Sequence, residues 1–141
     1  INKQEKGNIK LRNGEILGKH NGLINYTIGQ RKGIGISYKE PLYVIELNQE
    51  KNEVIVGTES ELYSSKLFAD SINWQVEPNR KQDLHCFAKI RYRAKEAKAT
   101  VKKKNEILEI EFQEPQRAIT KGQSVVFYDE DGVVLGGGKI L

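Results

Sequence analysis

The stretch from Leu84 to Arg93 reads Leu-His-Cys-Phe-Ala-Lys-Ile-Arg-Tyr-Arg, and its residue types alternate. Successive side chains of a strand point to opposite faces. Leu84, Cys86, Ala88, Ile90 and Tyr92 therefore share one face, and His85, Phe87, Lys89, Arg91 and Arg93 the other. On the second face three cations repeat every ~6.7 Å, close to the spacing of phosphates along one nucleic-acid strand. Phe87, with Tyr92 nearby, offers rings on which bases could stack. A solvated outer face of an antiparallel sheet has the same pattern, and spacing alone favours that reading.

Other chemistry-bearing residues give less. Lys98, Thr100 and Lys102 face outward from the next strand, with Lys103 and Lys104 at its end, but the following strand presents Glu109 and Glu111 outward, with Leu108, Ile110 and Phe112 inward. Cross-strand ion pairs therefore absorb part of this lysine run. Cys86 sits among apolar neighbours, where nothing lowers a thiol pKa, and reads as an inert buried thiol. His20 and His85 have no Ser/Asp or Cys/Asn arrangement beside them to make a triad. Gly29-Gln30-Arg31-Lys32-Gly33-Ile34-Gly35 invites phosphate, since glycine backbones can aim N–H groups at an anion and Arg31 and Lys32 add charge. It lacks the GK[ST] ending of a Walker loop and the strand–helix context of a dinucleotide fingerprint. Two histidines and one cysteine are too few for a typical structural zinc site. The sequence thus offers no catalytic, cofactor or metal residues, and the chain reads as a binding or scaffolding piece.

These residues need elements to hold them. Asn13-Gly14 signals a hairpin over residues 8–18 with a type I′ turn. Gly22 to Ile28 fits a helical turn or two. Residues 42–47 and 53–57 make a strand pair, and Thr58 with Glu61 forms a capping box for a short helix reaching Ser65. From there the pattern is all-β, with strands expected over 67–75, 84–93, 97–103, 106–112, 123–129 and 133–140. Gly136-Gly137-Gly138 marks a close approach of two backbones. The expected architecture is mainly β: a small α+β domain over residues 1–64, then a six-stranded antiparallel β-barrel over 65–141.

Composition agrees. The 141 residues are 38% hydrophobic and 30% charged, with a net charge of +4, which fits a globular chain with an anionic partner and excludes collagen-like or low-complexity disorder. No apolar run nears the ~20 residues of a membrane span, so no membrane partner is expected. One cysteine precludes an internal disulfide and suits a reducing cytoplasm. The absence of methionine and the start at Ile1 suggest a processed chain or a piece of a longer one.

The segments Gly18-Lys19-His20-Asn21-Gly22 and Tyr26-Thr27-Ile28-Gly29-Gln30-Arg31-Lys32-Gly33-Ile34-Gly35-Ile36 closely resemble the bacterial tRNA-specific 2-thiouridylase family. The likeness continues through Pro41-Leu42-Tyr43-Val44, residues 88–93, Pro115-Gln116-Arg117-Ala118-Ile119-Thr120, Gly122 to Tyr128 and Leu135 to Gly138, in family order and over nearly the whole chain. The resemblance implies a central domain followed by a barrel similar to those of translation factors. It also implies what the sequence lacks: an N-terminal ATP-pyrophosphatase domain with its SGGxDS loop, and two sulfur-transferring cysteines. In the family reaction ATP, with Mg, adenylates uridine 34 of certain tRNAs and a cysteine persulfide displaces AMP to leave 2-thiouridine.

Carried over residue by residue, the family's tRNA-contacting Arg-Tyr pair falls on Arg91 and Tyr92, and its barrel glutamine on Gln123. Lys89 and Arg93 share the Arg91 face and are weaker tRNA-binding candidates, as are Arg31 and Lys32. Alternation turns Tyr92 inward, so a bulge or the strand's end must bring it out. Implied partners are tRNA, the catalytic domain in cis, and a sulfur-carrier protein or desulfurase. A tRNA-holding role predicts salt-dependent affinity that falls when Arg91 is replaced, with the salt slope reduced by about one. The alternative is a protein-docking module for the catalytic domain or a sulfur carrier, without RNA affinity of its own.

Overall fold

The computed structural model describes residues 5–79 and 81–141. Residues 1–4, where the first expected domain begins, and Arg80 lie outside the described residues. The chain divides into two compact units, one ending at Tyr63 and the other running from Ser64 to Leu141.

The first unit is built on a hairpin of β1 (Gly7–Leu11) and β2 (Ile16–His20). Its turn is not the expected type I′. Only Gly14 takes positive φ (94°), the Gly14 N–H donates to the Leu11 carbonyl at 3.0 Å, and the Leu11 N–H donates to Glu15 at 2.9 Å. This is a type I turn followed by a left-handed glycine, which needs one permissive residue where type I′ needs two. The Asn13 side chain accepts the Glu15 N–H at 2.9 Å and stiffens the turn. With β3 (Tyr43–Asn48) and β4 (Glu53–Gly57) the strands form a mixed sheet in the order β2-β1-β4-β3, with β1 and β4 parallel.

Ile9, Val44, Val54 and Val56 are fully buried at the centre of this sheet. His20 is buried with them as a structural residue. Its Nδ1 accepts the Gly22 N–H at 3.0 Å, so Nε2 carries the proton and donates to the Asn52 carbonyl at 2.9 Å. Buried Glu53 is ion-paired with Lys10. Helical structure among the described residues is limited to two short 3-10 segments, Leu23–Asn25 and Glu59–Leu62. At the second, the Glu61 carboxylate accepts the Thr58 N–H at 3.1 Å, as the Thr58/Glu61 spacing suggested. The segment stops at Leu62, short of Ser65, because Tyr63 already enters the next strand.

The second unit is a closed six-stranded antiparallel barrel. Its strands are β5 (Tyr63–Trp74), β6 (Leu84–Lys89), β7 (Ala97–Lys104), β8 (Ile107–Arg117), β9 (Ser124–Tyr128) and β10 (Val134–Ile140), in the spatial order β10-β5-β8-β7-β6-β9. Cys86, Ala88, Ile110, Val125, Phe127 and Ile140 are among the inward side chains that fill it. Trp74 stacks on Phe127 with ring centroids 5.6 Å apart.

The three-glycine run belongs to closure. A Cβ at Gly136 would stand 2.7 Å from the Asn73 carbonyl oxygen, one at Gly137 2.8 Å from that of Val125, and one at Gly138 2.8 Å from that of Asp70. β10 thus lies too close to both neighbours for any side chain there.

Two expectations for the barrel also need correction. The strand expected over 84–93 ends at Lys89. Its ladder to β7 stops at the Ala88–Ala97 pair and its ladder to β9 at Lys89–Val126, and without partners Ile90 to Arg93 leave the sheet. Glu109 does not face solvent: it is 9% exposed, and Lys66 of β5 lies 3.2 Å from its carboxylate.

Candidate nucleic-acid interface

Consecutive strands of this barrel run in alternate directions, so its connections sort to two ends. The β6–β7 loop (90–96) and the β8–β9 loop (118–123) lie at one end; the β5–β6, β7–β8 and β9–β10 connections lie at the other. The first pair of loops carries Arg91, Arg93, Lys95 and Lys121 against one acid, Glu96, a net of +3. Among the described residues the opposite connections (75–79, 81–83, 105–106 and 129–133) carry six acids against Lys81, a net of −5. The connections at the first end are thus basic and those at the other acidic, with Lys103 and Lys104 closing β7 beside the acidic ones.

The basic end gathers the residues carried over from the family. Arg91 lies just past β6, and its guanidinium donates to two consecutive carbonyls where β8 passes into the other loop: Nη2 to Arg117 at 2.7 Å and Nη1 to Ala118 at 2.9 Å. The Thr120 hydroxyl donates to the same Ala118 carbonyl at 2.9 Å, and the Gln123 N–H donates to the Thr120 carbonyl at 3.3 Å. A continuous run of hydrogen bonds therefore joins position 91 to position 123. Tyr92 and Arg93 occupy the turn closed by the Ala94 N–H on the Arg91 carbonyl at 3.1 Å. Tyr92 is 96% exposed, the most exposed large hydrophobic side chain among the described residues. The end of the strand, not a bulge, turns it outward. Arg93 and Gln123 are exposed as well.

Lys89 keeps the outward position that alternation gave it, but its ammonium sits 5.3 Å from the Tyr128 ring centroid. That cation–π contact holds it against the barrel wall. Arg31 and Lys32 belong to the other unit and are exposed. Their glycine loop is braced internally: the Gln30 side chain accepts the Thr27 N–H at 3.0 Å and donates to the Lys32 carbonyl at 2.8 Å. The Gly29 N–H donates to Val44 and the Gln30 N–H to Thr27. The Thr27, Gly29 and Gln30 amides are therefore engaged within the unit itself.

The lysine run is partly paired, through Lys102 and Glu111 at 3.8 Å. Burial pushes the Cys86 thiol up to about 11 from its ordinary 9.0, which keeps it protonated and unreactive. No group of three or more His, Cys, Asp or Glu among the described residues could hold a metal ion, and no helix there is long and apolar enough to cross a membrane. Sequence reasoning did not single out Ala118 or Thr120 as the residues that tie position 91 to position 123. Ala118 takes a left-handed φ of 57°, and alanine gives no sign of that in a sequence.

A mixed four-stranded sheet followed by a closed barrel defines the class of module, and the comparisons agree with it. Residues 1–58 match the tRNA methyl transferase PRC-barrel domain, and residues 64–140 the aminomethyltransferase beta-barrel domain. The chain is 46% identical to the tRNA-specific 2-thiouridylase MnmA of Desulfitobacterium hafniense (strain Y51), across 99% of its own length and 40% of the relative's. It is likewise 46% identical to MnmA 2 of Clostridium botulinum (strain Hall) and 44% identical to MnmA of Clostridium beijerinckii, covering 38% and 39% of those proteins. The chain belongs to the tRNA-specific 2-thiouridylase family, as a C-terminal part of such a protein. It spans about 40% of the length of the curated relatives it matches.

Proposed function

We propose that this chain is the tRNA-holding portion of a cytoplasmic tRNA 2-thiouridylase and performs no catalysis alone. The parent enzyme installs 2-thiouridine at wobble position 34 using ATP and a cysteine persulfide, with the sulfur delivered by a carrier protein or desulfurase. Its adenylating and sulfur-transferring groups stand on the N-terminal domain, which acts in cis on tRNA held by the barrel. The observation that carries this reading is the run of hydrogen bonds from Arg91 to Gln123, which assembles the family's contact positions on the basic end of the barrel. Tyr92 presents a ring to a base, Arg93 a charge to a phosphate and Gln123 an amide to a polar edge. Arg31, Lys32 and Lys89 are secondary contacts.

The test is an electrophoretic mobility shift with a transcript of a lysine-, glutamate- or glutamine-accepting tRNA at two salt concentrations. Binding that weakens with salt and with Tyr92→Ala supports the reading. Absence of any shift at micromolar protein overturns it, and assigns the barrel to docking the catalytic domain or a sulfur carrier.

A further inference from the structure

We propose that Arg91 is a positioning residue: it sets the shape of the 117–123 loop for RNA, and the phosphate contact belongs to Arg93. The inference rests on the tRNA reading above and assigns roles within that same interface. Its basis is where the guanidinium points. Both terminal nitrogens of Arg91 are engaged with successive main-chain carbonyls at 2.7 and 2.9 Å. Two parallel charge-assisted bonds of this length fix the plane of the group as well as its position.

The acceptors explain why a clamp is needed. Ala118 is 5% exposed and sits at φ 57°, a region costly for a residue with a Cβ and held only where the surroundings enforce it. Its carbonyl takes donors from two directions, Arg91 Nη1 and Thr120 Oγ1. The loop then continues in register: the Gln123 N–H bonds the Thr120 carbonyl and the Gly122 N–H bonds Ile140 at 2.8 Å. Removing the fork leaves a strained alanine with one restraint fewer, and the displacement reaches Gln123. Lysine cannot substitute, because a compact ammonium does not present two parallel donors in a plane. Arg91 and Arg93 are both exposed, but the Arg91 guanidinium is taken up by two carbonyls, whereas Arg93, two residues on in the turn, holds its charge where a phosphate can reach it.

The test uses the 141-residue chain and the same tRNA transcript, titrated at several salt concentrations. Amide hydrogen exchange at Gly122 and Gln123 is followed in the free protein alongside. In place of the slope loss that the resemblance implies for Arg91, the expected result is that Arg91→Lys and Arg91→Ala each weaken binding roughly tenfold with an unchanged salt slope, and speed exchange at both amides roughly tenfold. Arg93→Ala instead lowers the slope by about one and leaves exchange alone. The inference is overturned if Arg91→Ala lowers the slope by about one with exchange unchanged. It is equally overturned if Arg91→Lys binds like the parent, or if it lowers the melting temperature without weakening tRNA. Should the unsubstituted chain bind no tRNA, the tRNA reading fails by itself, and exchange in the free protein still decides the clamp: unchanged rates in Arg91→Lys overturn it.

Discussion

A tyrosine that is 96% exposed contributes almost nothing to its own fold, so Tyr92 allows binding to be separated from stability. Tyr92→Ala is expected to leave the melting temperature within ~1 °C of the parent. Loss of one stacking partner worth about 1–3 kcal/mol weakens tRNA binding by roughly 5- to 160-fold. Tyr92→Phe, which keeps the ring, retains most of the affinity. An alanine variant that binds as tightly as the parent refutes the stacking role. Cys86 makes the opposite case, a residue with a stability role only. Its folded pKa of about 11 lies above the unfolded 9.0, so the unfolded chain releases this proton first as pH rises. The stabilisation is full below pH 9 and is lost progressively between 9 and 11, by roughly 2–3 kcal/mol. Urea denaturation across that window, compared with Cys86→Ala, isolates the effect from other titrating groups. Parallel losses in the two proteins would show that the thiol titrates freely.

The strands are held by contacts of very different legibility. Gly137 allows β10 to approach β9, and a methyl there meets the Val125 carbonyl at 2.8 Å. Gly137→Ala is expected to destabilise the barrel by about 2 kcal/mol, measured as a fall of roughly 8–16 °C in melting temperature. An unchanged transition would mean that the two strands part easily. Lys10→Met leaves Glu53 buried without its ion-pair partner, at an expected cost of roughly 2–4 kcal/mol in chemical denaturation, and Lys10→Met/Glu53→Leu recovers most of it. Glycine runs, alternation and turn residues made the barrel readable in the sequence, because each is a local demand on the backbone. The end of β6 was not readable. Ile90, Arg91, Tyr92 and Arg93 continue the alternation of Leu84 to Lys89 without a break, and only the positions of the partner strands decide that pairing stops. Glu109 shows the same limit, since its outward face was predictable but its cover, Lys66, comes from a strand more than forty residues away. The chemistry at position 91 was legible; its geometry, which depends on a left-handed Ala118, was not.

At the scale of the molecule, a net charge of +4 conceals the separation between the barrel's basic and acidic ends. Strands of five to twelve residues, tilted as barrel strands are, place those ends roughly 20 Å apart, more than two Debye lengths at physiological salt, where the screening distance is about 8 Å. Charge at the acidic end is therefore nearly invisible to RNA bound at the basic one, and affinity follows local charge. Two double variants test this, because they alter net charge equally in opposite directions. Glu130→Lys with Asp131→Lys adds four positive units at the acidic end and leaves untouched Asp129, whose carboxylate holds that turn through the Asp131 and Val133 N–H groups at 2.9 Å. Arg93→Glu with Lys95→Glu removes four units at the basic end. At 0.15 M salt the first pair is expected to change tRNA affinity less than about threefold, and the second to lower it on the order of a hundredfold. At ~0.01 M salt the Debye length reaches about 30 Å, and the first pair should then tighten binding appreciably. If the two variants shift affinity by equal and opposite factors at 0.15 M, tRNA is responding to total charge, and the basic end has no special standing.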